Sequence, residues 1–436
     1  MKILILGSGG REHALCWKIS RSELCSQIFI APGNAGTKEF GENLNIDIND
    51  FGAVKNACIS KEIEMVVVGP EEPLVNGIYD FFKNDELLKN IIITGPSKAG
   101  AQLEGSKAFA KSFMERHQIP TAKYKEFDVS NFDEGLEYIQ NHALPVVLKA
   151  DGLAAGKGVI ICQNHVEALA EFELMIQQSK FGQAGKKVVV EEFLAGIELS
   201  VFVLTDGKNY VLLPEAKDYK KIGEGDKGLN TGGMGAISPV PFATEHFMKK
   251  VTDQIIEPTI KGLQKEEIDY KGFIFFGLIK VGEEPMVIEY NCRLGDPETE
   301  VILIRLKSDL VELFIAMDQQ KLNHQEIVVE QNNAVTIVAV SGGYPEEYKK
   351  GLPIEFLYLE NPEAIKHIDD GVGAIVFHSG TKELNDQVLT NGGRVLAVSA
   401  MAEGLGDAIE LSKTILEQIR FDGLYFRGDI GYEFVD

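Results

Sequence analysis

Pro285-Met286-Val287-Ile288-Glu289-Tyr290-Asn291-Cys292-Arg293-Leu294-Gly295-Asp296-Pro297-Glu298-Thr299-Glu300 runs an apolar strand into a charged segment. Side chains along a strand alternate faces, so Glu289, Asn291 and Arg293 are expected on one face. That face offers a carboxylate, an amide oxygen and a guanidinium. A hard cation such as Mg²⁺ takes oxygen ligands and is commonly held by one or two protein groups plus phosphate oxygens. An adjacent Arg suits two-point recognition of a carboxylate or phosphate. A solvated strand face is the plainer explanation. The long apolar run from Gly272 to Val281 just upstream disfavours it, because it predicts a buried neighbouring strand.

Outward from this segment, a chain of 436 residues is too long for one core, and the size prior gives roughly three domains. Apolar content and near-zero mean hydropathy are those of an ordinary globular protein. No apolar run approaches the ~20 residues of a membrane span. The start, Met1 to Gly7, is too short for a signal-peptide core and reads as a first strand. The net charge of −23 argues against nucleic acid or anionic membrane as partner. It leaves room for an anionic small substrate held by a local cluster of cations. The five cysteines are odd in number and lack zinc or Cys-x-x-Cys spacing. A reduced, cytoplasmic setting is expected.

The first hundred residues alternate strand and helix signals. Strands are predicted at Lys2–Leu6, Gln27–Ala31, Met65–Val68 and Ile91–Thr94, with helical stretches such as His13–Ser20 between them. This rhythm implies a parallel sheet with flanking helices. The turn Gly7-Ser8-Gly9-Gly10-Arg11-Glu12 suggests a dinucleotide fingerprint. However, Glu12 stands at the third glycine position, and Pro32-Gly33-Asn34 ends the second strand without an acid for a ribose hydroxyl. Two readings stay open: anion binding by backbone N–H groups, aided by Arg11, or a tight connecting turn.

A helix is predicted from Gly105-Ser106-Lys107 to about His117. The strand Leu144–Lys149 leads into Ala150-Asp151-Gly152-Leu153-Ala154-Ala155-Gly156-Lys157-Gly158 and a strand Val159–Cys162. This is not a P-loop, since the glycine spacing is one short and a strand follows. A small-residue loop flanked by Lys149 and Lys157 can still close over phosphates; a glycine hairpin with solvated lysines is the alternative. Lys187–Glu191 is a strand, and the hinge Glu192 to Glu198 would leave backbone groups free for the edge of a flat base. Standing alone, that hinge would be taken for an acidic surface turn. Lys217 to Gly235 reads as a Gly-, Lys- and Asp-rich loop. A polar stretch from about Lys321 to Asn332 reads as a linker. Strands at Ala334–Val340, Ala374–His378 and Arg394–Ser399 and helix near Leu405–Arg420 complete the chain.

The stretches Gly7–Leu15, Ala31–Thr37, Val68–Leu74, Gln102–Lys107, Lys149–Val159, Asn230–Ala236, Arg293–Glu298 and Thr390–Leu396 together resemble one family, over essentially the whole length. It is the phosphoribosylamine–glycine ligase family of the ATP-grasp superfamily. Arg-Leu-Gly-Asp-Pro-Glu at Arg293–Glu298 is its most specific part. The resemblance implies an α/β and α+β fold: a Rossmann-like N-terminal domain (1–101), a two-lobed ATP-grasp domain (102–327, mobile lobe about 120–195) and a small C-terminal α/β domain (328–436). It implies ligation of glycine to 5-phosphoribosylamine through an acyl phosphate, at the expense of ATP, in purine synthesis.

Residue by residue, the resemblance implies that Glu289 and Asn291 hold Mg²⁺ or Mn²⁺, with no further acid on the preceding strand. Lys107 and Lys149 would meet ATP phosphates under the loop Gly156-Lys157-Gly158. Glu191, Phe193 and Leu194 would frame adenine and Glu198 the ribose. Arg293, with Asp296 and Glu298, would take glycine. Gly9, Gly10, Arg11, Asn34 and Glu71 would hold phosphoribosylamine. Asp218 and Lys220 join Arg293 and Lys149 as expected catalytic residues. Many members read Gln-Asp-His-Lys-Arg where this chain has Lys217-Asp218-Tyr219-Lys220-Lys221, and Leu229 stands where Pro is common. An imidazole proton-transfer role at position 219 is therefore lost.

The expected partners are ATP, glycine and 5-phosphoribosylamine, with no nucleic acid and no membrane. The chain is expected to be monomeric and monofunctional. Three rival readings compete with this one. They are another ATP-grasp carboxylate–amine ligase, a nicotinamide-dependent dehydrogenase and a non-catalytic nucleotide-binding regulator. The set Lys107, Lys149, Glu289, Asn291 and Arg293 disfavours the last.

Overall fold

A computed structural model describes residues 1–153, 158–178, 180, 186–357, 368 and 371–435. Its largest sheet has nine strands. Glu42–Asn43, Gln27–Pro32, Lys2–Gly7, Met65–Val68 and Ile92–Pro96 lie side by side in parallel. Their near-continuous Ile, Leu and Val runs fit burial on both faces, and Ile3 to Leu6 are fully buried. The helix Gly10–Ser20 starts straight after the first strand.

The same sheet continues into the central region. Tyr270–Val281 pairs antiparallel with Ile92–Pro96 at Tyr270 and Lys271, then runs on to pair with Glu284–Asn291. A side chain on Gly272 would come within 2.8 Å of the Gly95 backbone nitrogen, so glycine is required where the two halves merge. Ile197–Thr205 and then Tyr210–Leu212 complete the far edge.

A separate four-stranded antiparallel sheet holds Tyr124–Asp128, Lys187–Glu192, Val146–Ala150 and Val159–Cys162. The helices Phe132–Gln140 and His165–Ile176 cover one face. Phe127, Ile139, Leu148, Phe172 and Val190 form a core of its own between sheet and helices. A third sheet is ordered Lys217–Asp218, Gly235–Ser238, Asn333–Val340, Arg394–Ala402, Gly373–His378. The helix Leu405–Leu416 packs on it. The result is a mixed α/β chain in which strands from the middle of the sequence complete both terminal sheets.

Two expectations need correction. The Lys217–Gly235 stretch is built of short strands, with Lys221–Gly223 and Lys227–Asn230 forming a hairpin. Its glycines suggest a loop, but distant residues supply the order. The polar stretch after Lys321 is no free linker. Val329 bridges Leu306, and Lys307 N–H donates to the Val328 carbonyl at 2.8 Å. Among the described residues, no helix is long and apolar enough to cross a membrane. All five cysteines are unpaired thiols.

Candidate active site

The strand Glu284–Asn291 carries a bulge. Gly277 pairs with Glu289 and Leu278 with Val287, leaving Ile288 extra. A bulge re-aims the chain locally. Here the Ile288 carbonyl is turned to accept from Lys149 Nζ at 3.1 Å. Glu289 and Asn291, two apart, share a face as expected. Among the described residues neither side chain makes a hydrogen bond or ion pair, so their oxygens are free to bind a ligand. Burial would raise the Glu289 pKa, yet Lys220, Lys149, Lys107 and Arg293 hold it below the usual carboxylate range. The group is thus an ionised carboxylate ringed by cations, and two oxygen donors of this type suit a hard cation that draws its remaining ligands from phosphates.

Lys149 is the penultimate residue of the strand Val146–Ala150 and is 4 % exposed. Glu191 on the paired strand reaches it with Oε2 at 3.0 Å and Lys111 Nζ at 3.1 Å. Lys111 also donates to Thr121 Oγ1 at 2.8 Å. Burial drives its pKa down to about 8 against the pull of Glu191. The Glu191 side chain therefore holds two lysines. Lys107 opens the helix Lys107–Arg116. Ser106 caps that helix and donates to Asp151 Oδ1 at 2.9 Å, and Asp151 also takes the Ala108 N–H. The start of the Gly-rich loop is thereby tied to the helix that aims Lys107. Burial lowers the Lys107 pKa, opposed by Glu289.

Asp218 and Lys220 come from the strand Lys217–Asp218 and its continuation. Lys220 Nζ lies 2.6 Å from Glu198 Oε2 and 3.9 Å from Asp218 Oδ2. Glu198, expected at the ribose, is thus the partner of Lys220 here. Burial raises the Asp218 pKa against the pull of Lys220. Burial, then Asp218, pushes Glu298 up to about 7. Glu298 accepts from Ser200 Oγ at 3.2 Å.

Arg293 lies just beyond the strand. Its Nη2 donates to Glu104 Oε1 at 2.8 Å and its Nε to Glu71 Oε2 at 3.2 Å. Nη1 has only a 3.4 Å contact to the Leu294 carbonyl. The other Glu104 oxygen takes the Cys292 N–H at 2.8 Å. Glu104 and Glu71 thus fix one edge of the guanidinium and leave the other for a ligand.

A cleft of about 510 Å³ opens beside this centre, where the N-terminal turn meets the C-terminal sheet. Gly9, Asn34 and Asp296 line it with Ser379, Asn391 and Arg394. Arg394 Nη1 donates to the Gly232 carbonyl at 2.7 Å and pairs with Asp296 Oδ1 at 3.0 Å. The Asn34 side chain is spent on backbone: it donates to the Ser8 and His378 carbonyls and accepts from Gly36 and Thr37 N–H. Glu12 takes the Gly9 N–H at 2.6 Å and pairs with Arg11 at 2.7 Å, while Arg11 Nη1 donates to the Leu294 carbonyl. A side chain on Gly10 would lie 2.2 Å from Glu300. The turn's glycines therefore make room for the protein's own carboxylates.

Gly156 and Lys157 lie outside the described residues. Gly158 is buried, and its carbonyl accepts from Ala150 N–H. Phe193 and Leu194 sit between the small sheet and Ile197–Thr205, with Phe193 exposed. Lys111, Glu104 and Arg394 were not singled out from sequence. Lys111 had a usable signal, four residues after Lys107 on the same helix face. Glu104 and Arg394 lie inside Gln102–Lys107 and Thr390–Leu396, stretches that carry the resemblance but imply no role for either.

Residues 1–104, 105–299 and 334–433 match, in turn, the N, ATP-grasp (A) and C domains of the family described as phosphoribosylglycinamide synthetase. The chain is 44% identical over 431 residues to the phosphoribosylamine–glycine ligase of Clostridium acetobutylicum, covering 99% of each. It is 44% identical to the ligase of the same name from Yersinia pestis, covering 99% of this chain and 98% of that one. The crystal structure of the Thermotoga maritima phosphoribosylamine–glycine ligase superposes with a TM-score of 0.82 at 33% identity, covering 99% of this chain and 100% of the other. The biotin carboxylase domain of Hydrogenobacter thermophilus 2-oxoglutarate carboxylase, a structure in complex with MgADP, shares the fold at a TM-score of 0.72 and 17% identity, covering 97% and 91%. A free Glu289–Asn291 pair ringed by lysines, on a strand that leads to Arg293, is thus found in a chain that belongs to the phosphoribosylamine–glycine ligase family of ATP-grasp enzymes.

Proposed function

We propose that this chain joins glycine to 5-phospho-D-ribosylamine, giving glycinamide ribonucleotide, ADP and phosphate, as a step of de novo purine biosynthesis. The observation that carries this is the strand end itself. Ionised Glu289 and unbonded Asn291 lie among Lys107, Lys149 and Lys220, next to an Arg with one edge open. Phosphoryl transfer depends mainly on alignment and charge neutralisation, and this inventory is suited to both.

In this reading a glycine carboxylate oxygen attacks the γ-phosphorus of ATP and ADP leaves. The amine nitrogen then attacks the carbonyl carbon of glycyl phosphate, phosphate departs, and the nitrogen loses a proton. Lys107 and Lys149 orient ATP phosphates beneath the loop containing Gly156, Lys157 and Gly158. Phe193 and Leu194 border adenine. Arg293 takes the glycine carboxylate through Nη1, and Asp296 and Glu298 shape that pocket. Glu289 and Asn291 would hold Mg²⁺ or Mn²⁺, which supplies charge neutralisation at the phosphates when bound. Asp218 and Glu298 stand where the proton from the amine can be received, with Lys220 holding Asp218. The cleft of Gly9, Asn34 and Asp296 takes phosphoribosylamine, with Arg11 and Gly10 behind it and Glu71 bracing Arg293. Unpaired thiols and the acidic surface support a cytoplasmic protein. A monomer is the state we propose, to be checked by light scattering.

Glycine labelled with ¹⁸O in its carboxylate tests the route. An acyl phosphate delivers one labelled oxygen to the released phosphate. Unlabelled phosphate alongside product formation would rule the route out.

A further inference from the structure

We infer that the tail segment Arg427–Glu433 positions Asp218 and Lys220 by gripping Tyr219, the residue between them. This rests on the proposed place of Asp218 and Lys220 in the site. Tyr219 is 1 % exposed, and its hydroxyl donates to Glu433 Oε2 at 2.7 Å. The other oxygen of Glu433 pairs with Lys217 Nζ at 3.0 Å. That ammonium lies 3.8 Å from the Tyr219 ring centre, and the Arg427 guanidinium carbon 5.4 Å from it. Cations this close to an aromatic ring are attracted by its quadrupole.

Arg427 is fully buried and holds the neighbouring hairpin. Its Nε and Nη2 donate to the two Asp429 oxygens, both at 2.8 Å. Its Nη1 donates to Asp226 Oδ1 at 2.8 Å and to the Lys221 carbonyl at 3.1 Å. Gly225 N–H donates to Asp429 Oδ2 at 2.7 Å. On the other side, Tyr219 N–H donates to the Gly235 carbonyl and Met234 N–H to the Tyr219 carbonyl.

The extended backbone gives this grip its consequence. Lys217 and Tyr219 point to the tail, so period-two alternation sends Asp218 and Lys220 the opposite way. There Lys220 meets Glu198, and Asp218 and Lys220 both feel the Glu289 charge. Tyr219 thus stands in a structural post. The tail residues and Tyr219 are positioning residues that act through Asp218 and Lys220.

The test uses the full chain with Tyr219→Phe and Glu433→Gln, each alone and combined with Asp218→Asn. A misplaced group can cost up to about a hundredfold, so kcat should fall on the order of tenfold or more in either single variant. The KM for ATP should stay within about twofold, since only misalignment in the reacting complex changes kcat alone. In the Asp218→Asn background the tail substitutions should cost clearly less than in the wild type, because only Lys220 is then left to misplace and sites that act as a unit are not additive. Should Tyr219→Phe fail to fold, the partly exposed Glu433→Gln decides. Wild-type kcat in a folded variant would overturn the inference, as would full additivity with Asp218→Asn. Wild-type kinetics of Asp218→Asn alone would instead bring down the site reading, and this inference with it.

Discussion

Glu289 is the residue on which the chemistry turns. Its carboxylate stays ionised in a half-buried place because four cationic side chains surround it, yet none bonds it directly. A metal at a transferring phosphoryl group is worth several kcal/mol, so Glu289→Ala should lower kcat by roughly a hundredfold or more. Near-normal turnover with unchanged metal dependence would contradict this. Arg293→Lys keeps the charge but loses the fork. One charge-assisted hydrogen bond is worth ~1.5–3 kcal/mol, so the glycine KM should rise at least about tenfold. Unchanged glycine kinetics would count against the assignment.

Glu298 gives a pH signature. Its folded pKa, about 7, is raised above the ordinary 4.5 by burial and then by Asp218. The folded chain therefore binds this proton more tightly than the unfolded chain. The resulting stability is full below about pH 4.5 and is lost as pH rises through about 7, by up to ~3 kcal/mol. Glu298→Gln should flatten that part of a denaturant-derived stability profile, and an unaltered slope would refute it. Glu289 and Asn291 could be read from sequence because alternation on one strand brings them together. The ion pairs of Glu191 could not, because Lys111 and Lys149 meet it only after helix and sheet pack.

Among the elements, the small sheet and the bulged strand form one device. The sheet has its own core, and it meets the large sheet through Lys149 to the Ile288 carbonyl and Thr121 Oγ1 to the Val287 carbonyl at 2.7 Å. Lys111 braces this contact from the helix Lys107–Arg116. Lys111→Met should cost ~1–3 kcal/mol in urea unfolding, because a buried Glu191 oxygen loses one of its two cationic partners. It should also raise the ATP KM, since Glu191 is then left to Lys149 alone. An unchanged midpoint and ATP KM would contradict both statements. Periodicity located most strands, as with Met65–Val68 and Val159–Cys162, whose bounds agree with the sequence reading. It failed at Lys217–Gly235, where strands of two to four residues owe their order to Arg427 and Glu433, about two hundred positions away. No local pattern carries such information.

On the scale of the whole molecule, the middle of the chain stitches the ends together. Tyr270–Val281 extends the N-terminal sheet, and Lys217–Asp218 with Gly235–Ser238 extends the C-terminal one. His13 Nδ1 accepts the His378 N–H at 2.7 Å, joining the first helix to the last sheet. The proposed phosphoribosylamine cleft exists only because of this docking, which explains why its C-terminal wall, Ser379 to Arg394, escaped the sequence reading. The resulting account has two substrates meeting between lobes at one ATP site, and it stands or falls on their joint requirement. The direct measurement is ADP release by the purified chain with ATP and Mg²⁺, with glycine and 5-phosphoribosylamine supplied singly and together. ADP should appear at a substantial rate only when both are present. Equal turnover when formate or D-alanine replaces glycine would contradict the account.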